Sequence, residues 1–124
     1  YTIVRSTQFY EFATSIADAA TIDGVVRLPR VLAQPIAAED VAEALSRAAL
    51  APAINDTTDI AGPEQIPLDL WITRALQSVG DRRPVITDPH ALYFGWMQLG
   101  TETLLPGLNA ITGKTRFEEW LNVL

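Results

Sequence analysis

The 124 residues predict an α/β fold, read as the second half of a doubly wound parallel sheet. Three observations lead there. A short β-branched run passes directly into a helical stripe at the start of the chain. Short extended runs then alternate with amphipathic stretches. Finally, the order β-α-β-(β)-α-β-α-β-loop-α holds too few strands for a complete doubly wound domain.

Taken in order, Tyr1-Thr2-Ile3-Val4-Arg5 has the composition of a buried strand, and Ser6 or Thr7 is placed to cap a helix. Phe9, Phe12, Ala13, Ile16, Ala19 and Ala20 recur at helical spacing up to an Asp23-Gly24 turn. Val25 to Leu28 reads as a strand closed by Pro29, and Val31 to Ile36 as a second extended run that Pro35 confines to an edge or loop. Glu39 and Asp40 open a helix with an acidic first turn, where Asp40 stabilises the positive end of the dipole. Val41, Ala44, Leu45 and Ala48 form its apolar face, and Pro52 stops it. A turn at Asn55-Asp56-Thr57-Thr58 precedes a short strand, Thr58 to Ala61, with Gly62-Pro63 as the breaker. Leu68 to Val79 is a helix ending at Gly80, and Val85-Ile86-Thr87 a brief strand. From Asp88 to Gly113 no periodicity is sustained. Thr115-Arg116-Phe117-Glu118 has capping-box spacing before a last helix faced by Phe117, Trp120 and Leu121.

Composition excludes several functions. A net charge of −6 with scattered basic residues argues against direct binding to nucleic acid. Without cysteine there is no disulfide, thiolate nucleophile or cysteine-bound zinc, and the single His90 rules out a multi-histidine metal site; no metal is expected. No apolar run reaches the roughly 20 residues of a membrane span, so no membrane partner is expected. The chain opens inside a strand-like run with no methionine and no charged leader, so it reads as starting partway through a larger protein, with a cytoplasmic location expected.

Several phrases resemble one family. Tyr1-Thr2-Ile3-Val4-Arg5-Ser6-Thr7-Gln8-Phe9, Gln34-Pro35-Ile36-Ala37-Ala38-Glu39-Asp40-Val41-Ala42, Ile60-Ala61-Gly62-Pro63-Glu64 and Thr115-Arg116-Phe117-Glu118-Glu119-Trp120-Leu121 are similar, in this order, to the C-terminal part of NmrA-like proteins, atypical short-chain dehydrogenase/reductases. Asp88-Pro89-His90-Ala91-Leu92-Tyr93-Phe94-Gly95 is also familiar from this group. The resemblance implies the C-terminal half of a Rossmann-type doubly wound parallel sheet plus a small substrate-side α/β lobe. Residues 1–24 would be a late Rossmann strand and helix, and residues 25–124 the substrate-side lobe and final sheet elements. The N-terminal dinucleotide-binding half would be absent. It further implies a parent that transfers hydride from NAD(P)H to a small carbonyl, quinone or similar acceptor. NAD(P) would belong to that complete protein, with no cofactor and no hydride transfer expected of this chain alone. The alternatives are a non-enzymatic NAD(P)-sensing regulator of the NmrA type and an inactive fragment that self-associates through surfaces the missing half would cover. The sequence departs from the family's common pattern in having no Gly-x-Gly and no Tyr-x-x-x-Lys; four residues before the sole lysine, Lys114, stands Ala110.

By the same resemblance, Ser6, Thr7, Gln8 and Phe9 would border the nicotinamide, at a strand's carboxyl end where ligands bind in α/β sheets. A helix cap followed by a core aromatic accounts for these residues equally well. Phe12, His90, Tyr93 and Phe94 are the candidate substrate-binding residues, although the cluster His90, Tyr93, Phe94 and Trp96 also suits anchoring a long loop to the core. No catalytic residue is assigned. Arg5 is expected to pair with an acid in buried surroundings. Gly113-Lys114-Thr115 lacks the glycine a phosphate loop needs at position 108, which is Leu108, and reads as a helix-capping loop. The sequon Asn55-Asp56-Thr57 reads as a chance match in a turn.

Overall fold

A computed structural model describes residues 1–93, 97–100 and 102–123. The chain is α/β and divides into two compact units interleaved along the sequence. One comprises Tyr1–Tyr10, Gln34–Gln65 and Leu105–Leu124; the other comprises Glu11–Ala33 and Ile66–Leu104.

The first unit is built on a parallel sheet of β1 (Thr2–Ser6), β5 (Asp56–Ala61) and β8 (Ile111–Thr112), in the order β1-β5-β8. Val4 lies opposite Thr58, Ser6 opposite Ile60, and Ile60 opposite Ile111. Helix α2 (Ala38–Leu50) covers the face that carries Val4 and Ile60, and Val41 and Ala44 pack there with Ile36 and Phe9. The alternation of a strand sends Ile3 and Arg5 to the other face. Ile3 is 52% exposed there, and exposed Arg5 donates from Nε to Asp59 Oδ1 at 2.8 Å. That hydrogen bond holds the Asp59 carboxyl below its usual range. Arg5 thus has its acid: its own side chain is 70% exposed, whereas that of Asp59 is only 15% exposed. Parallel sheets are ordinarily covered on both faces, so this open face is unusual.

Helix α4 (Phe117–Asn122) is held by aromatic rings. Tyr10, fully buried, lies 5.3 Å from Phe117 and 5.5 Å from Trp120 between ring centroids, and its hydroxyl donates to the Thr115 carbonyl at 2.9 Å. A buried tyrosine needs such an acceptor for its hydroxyl. The predicted capping box is shifted by one residue: Arg116 is the N-cap and its N–H donates to Glu119 Oε1. Thr115 is drawn away by a stronger acceptor, the Asp40 carboxylate.

In the second unit, β2 (Thr21–Ile22) and β3 (Val25–Leu28) form an antiparallel hairpin, and β7 (Val85–Thr87) adds parallel to β3. The Asp23-Gly24 turn has positive φ at both residues, 51° and 77°, the condition for a two-residue hairpin loop whose twist suits the strands. The predicted first helix is therefore shorter. After a 3-10 turn over Tyr10–Phe12, α1 covers Ala13–Ala20 and buries Ala13, Ile16, Ala17 and Ala20. Phe12, placed in the apolar stripe by its spacing, is 52% exposed because it precedes the regular helix. Neither Ser6 nor Thr7 caps α1; its N-cap is Phe12, without a side-chain bond.

Helix α3 (Leu68–Ser78) buries Leu68, Trp71, Ile72, Ala75 and Leu76, and α1 and α3 pack together beside β3 and β7. Val26 and Leu28 supply the sheet's share of that core. A small antiparallel pair, β4 (Leu32–Ala33) with β6 (Ile66–Pro67), completes the unit, so only part of the expected Val31 to Ile36 run is strand. Arg83 ties the edges. Its guanidinium donates to Asp81 and to Thr21 Oγ1 and pairs with Asp18 at 2.9 Å, and its hydrogen bonds hold Asp81 below the usual carboxylate range.

Candidate functional site

In the first unit, the carboxyl ends of three parallel strands lie side by side, and the chain leaves each through a loop: Thr7 to Phe9, Gly62 to Gln65, and Gly113 to Arg116. Backbone bonds extend the sheet beyond its strands, from Thr7 N–H to the Ile60 carbonyl at 3.1 Å and from Gly113 N–H to Ala61 at 2.7 Å. This is the edge at which open α/β sheets receive ligands.

The segment Gln34 to Ile36 braces the edge. Ile36 N–H donates to the Gln8 carbonyl and Tyr10 N–H to the Ile36 carbonyl, both at 2.8 Å, with Phe9 and Ile36 in a parallel bridge. The Gln34 carbonyl accepts from Thr7 Oγ1 at 2.6 Å and from Gly62 N–H at 3.1 Å, while Gln34 Nε2 donates to the Gly62 carbonyl at 2.8 Å. Gly62 is needed here by space rather than by conformation. A Cβ at that position would lie 1.7 Å from the Pro35 carbonyl oxygen.

Of the predicted cofactor-adjacent residues, Ser6, Thr7, Gln8 and Phe9 do sit together on this edge. Their side chains differ in what they leave free. Thr7 spends its hydroxyl on Gln34, and Phe9 packs on the core cluster of Ile36, Val41 and Ile60. Gln8 is the exception: its Oε1 is buried and finds no hydrogen-bond partner among the described residues. Leaving a buried amide oxygen unpaired costs about 1–3 kcal/mol, which marks the place as one where a donor belongs.

Asp40 is the residue whose role the sequence understates. Its carboxylate is 3% exposed and accepts from Thr115 N–H at 2.9 Å and from Thr115 Oγ1 at 3.0 Å. It thereby joins the start of α2 to the loop after β8. Gly113 leaves room for it, since a Cβ there would stand 2.7 Å from Asp40 Oδ2. Gly113-Lys114-Thr115 thus docks on the start of α2 rather than capping α4, and Lys114 is exposed and paired with Glu43 at 3.4 Å.

Of the predicted substrate-side residues, Phe12, His90 and Tyr93 lie in the second unit. His90 is exposed and lines a depression of about 280 Å³ with Ala19, Ala20, Ile22, Arg27, Asp88, Ala91 and Leu92. Tyr93 does not line it; it is buried and bridges Met97, and burial pushes its phenol up to about 12. Phe12 lies outside this depression as well. Phe94 and Trp96 lie outside the described residues. Among the described residues, no three His, Asp or Glu side chains gather as a metal site would require, and no helix is long and apolar enough to cross a membrane.

No family model matches the sequence, and no curated protein matches it. A solved structure does: the crystal structure of a hypothetical dTDP-4-dehydrorhamnose reductase from Sulfolobus tokodaii is similar over 95% of this chain, with a TM-score of 0.54 and 15% sequence identity. The likeness is one of fold. It agrees with the α/β architecture and the parallel sheet expected from the sequence. The chain spans 45% of that protein's length.

Proposed function

We propose that this chain is the C-terminal part of an NAD(P)H-dependent oxidoreductase of the NmrA-like group, acting on a small carbonyl, quinone or similar acceptor. Its two units would contribute the loop beside the nicotinamide and residues of the substrate side. The observation that carries this reading is Gln8, whose buried and unpaired oxygen stands at the carboxyl end of a parallel strand. The carboxamide N–H of a nicotinamide is a donor of the kind that position lacks. The bound cofactor would supply the hydride; the chain's own part is to accept that N–H at Gln8 once its amide turns outward, since Oε1 is otherwise out of reach of solvent, and to hold the loop through Gln34 and Gly62. The similarity to a structure titled as a reductase supports the same reading. The open sheet face bearing Ile3 and Arg5 suits further strands and helices packed against it, or self-association where they are lacking.

The test is NAD(P)H binding and oxidation by a protein that carries this segment behind a glycine-rich N-terminal turn. Binding followed by acceptor-dependent oxidation is expected, and Gln8→Leu should weaken NADPH binding about fivefold to tenfold. Binding with no turnover on any carbonyl or quinone would favour the sensing role. Failure to bind either dinucleotide would refute both. The 124 residues alone are expected to oxidise no NAD(P)H.

A further inference from the structure

We propose that the depression in the second unit is a binding site for a small organic monocarboxylate, with Arg27 as the residue that recognises the acid. Strand alternation places Arg27 on the face of β3 opposite the buried Val26 and Leu28, beside Ile86 of β7. There it is half-buried, yet among the described residues its guanidinium makes no hydrogen bond and no ion pair. Arg5, Arg83 and Arg116 each hold a carboxylate. An arginine fork matches a carboxylate bidentately, and a half-exposed guanidinium with no partner among the described residues is open to an anion from solution.

The rest of the recess specifies the ligand's other features. Ala19, Ala20, Ile22 and Leu92 offer apolar walls for an apolar body. The volume of about 280 Å³ equals that of about nine water molecules, enough for one ring with its carboxylate. Asp88 sits in the same recess, with Oδ1 accepting from His90 N–H at 2.9 Å. Its charge repels a dianion more than a monoanion, so a carboxylate is favoured over a phosphate monoester. The site does not rest on the oxidoreductase reading.

The experiment needs no dinucleotide, so its outcome is separate from that of the NADPH assay. Benzoate, benzamide and phenyl phosphate are titrated into the full chain while NMR shifts are followed. Benzoate should move the Arg27 Nε–H and the methyls of Ala19, Ala20 and Ala91, and should bind more tightly than either comparison compound. Arg27→Gln should weaken benzoate about tenfold with no change in thermal midpoint, because no internal partner is lost. Ala19→Leu, which fills the recess and leaves the charge in place, should abolish the shifts. Equal binding of benzamide, benzoate shifts located elsewhere, or undiminished binding by either variant would overturn the proposal.

Discussion

Gly62→Ala is expected to be among the most damaging single-methyl additions in this chain. The new Cβ would meet the Pro35 carbonyl oxygen at 1.7 Å and its carbon at 2.7 Å, both backbone atoms that no rotamer change can move. Ordinary contact begins near 3.5 Å, so the two segments must separate by about 1.5 Å or more. That separation breaks the pair of bonds between Gly62 and Gln34, at 3.1 and 2.8 Å, for about 1 kcal/mol each. Strain from overpacking adds a further 1–3 kcal/mol or so. A loss of about 3–5 kcal/mol follows, measured by urea unfolding. The damage should also reach the Thr7 to Tyr10 loop, because Ile36 is bonded to Gln8 and Tyr10, so amide exchange at Ile36 and Tyr10 should accelerate. Gly100→Ala is the milder comparison, since its Cβ would meet only the Thr103 hydroxyl, at 3.2 Å, whose movement costs at most the one bond it accepts from Gly100 N–H, about 1 kcal/mol. A loss at Gly62 under about 1 kcal/mol, or unchanged exchange at Ile36, would refute the reasoning.

Asp40→Asn should cost about 2 kcal/mol in unfolding experiments, because a buried carboxylate accepting two bonds from Thr115 becomes an amide that cannot serve both equally well. Thr115→Val, which removes one of the two, should cost about half as much. Tyr93 makes stability fall with alkaline pH. Its folded phenol titrates near 12 rather than 10.0, so the folded state retains a proton that the unfolded chain gives up. Stability is therefore full below pH 10 and declines between 10 and 12, by at most about 3 kcal/mol. Urea titrations of wild type and Tyr93→Phe across that range should show the decline in the first and its loss in the second.

Much of this architecture is legible in residue order. Strand β1, helices α2, α3 and α4, the Asp23-Gly24 turn and the stop at Gly80 all follow from local rules: β-branching, spacing along one helical face, and glycine or aspartate where φ turns positive. The stretch Ser6 to Phe9 is likewise legible as the carboxyl end of a strand and the loop that follows it. Such signals are carried by neighbouring residues, so they survive without the rest of the fold.

Other features depend on partners distant in the chain. Strand β8 has two residues and no periodicity of its own; it exists because Ile60 and Ala61, some fifty positions earlier, offer it an edge. Thr115 leaves its predicted capping role because Asp40 reaches it from another element. The need for glycine at position 62 is set by the Pro35 carbonyl, and the significance of Arg27 by the recess around it. Local propensity therefore settles where the helices and principal strands lie. Which polar groups find no partner among the described residues, such as the buried Gln8 oxygen, is settled by which segments the folded chain brings together, since satisfaction of a buried group is a property of its surroundings.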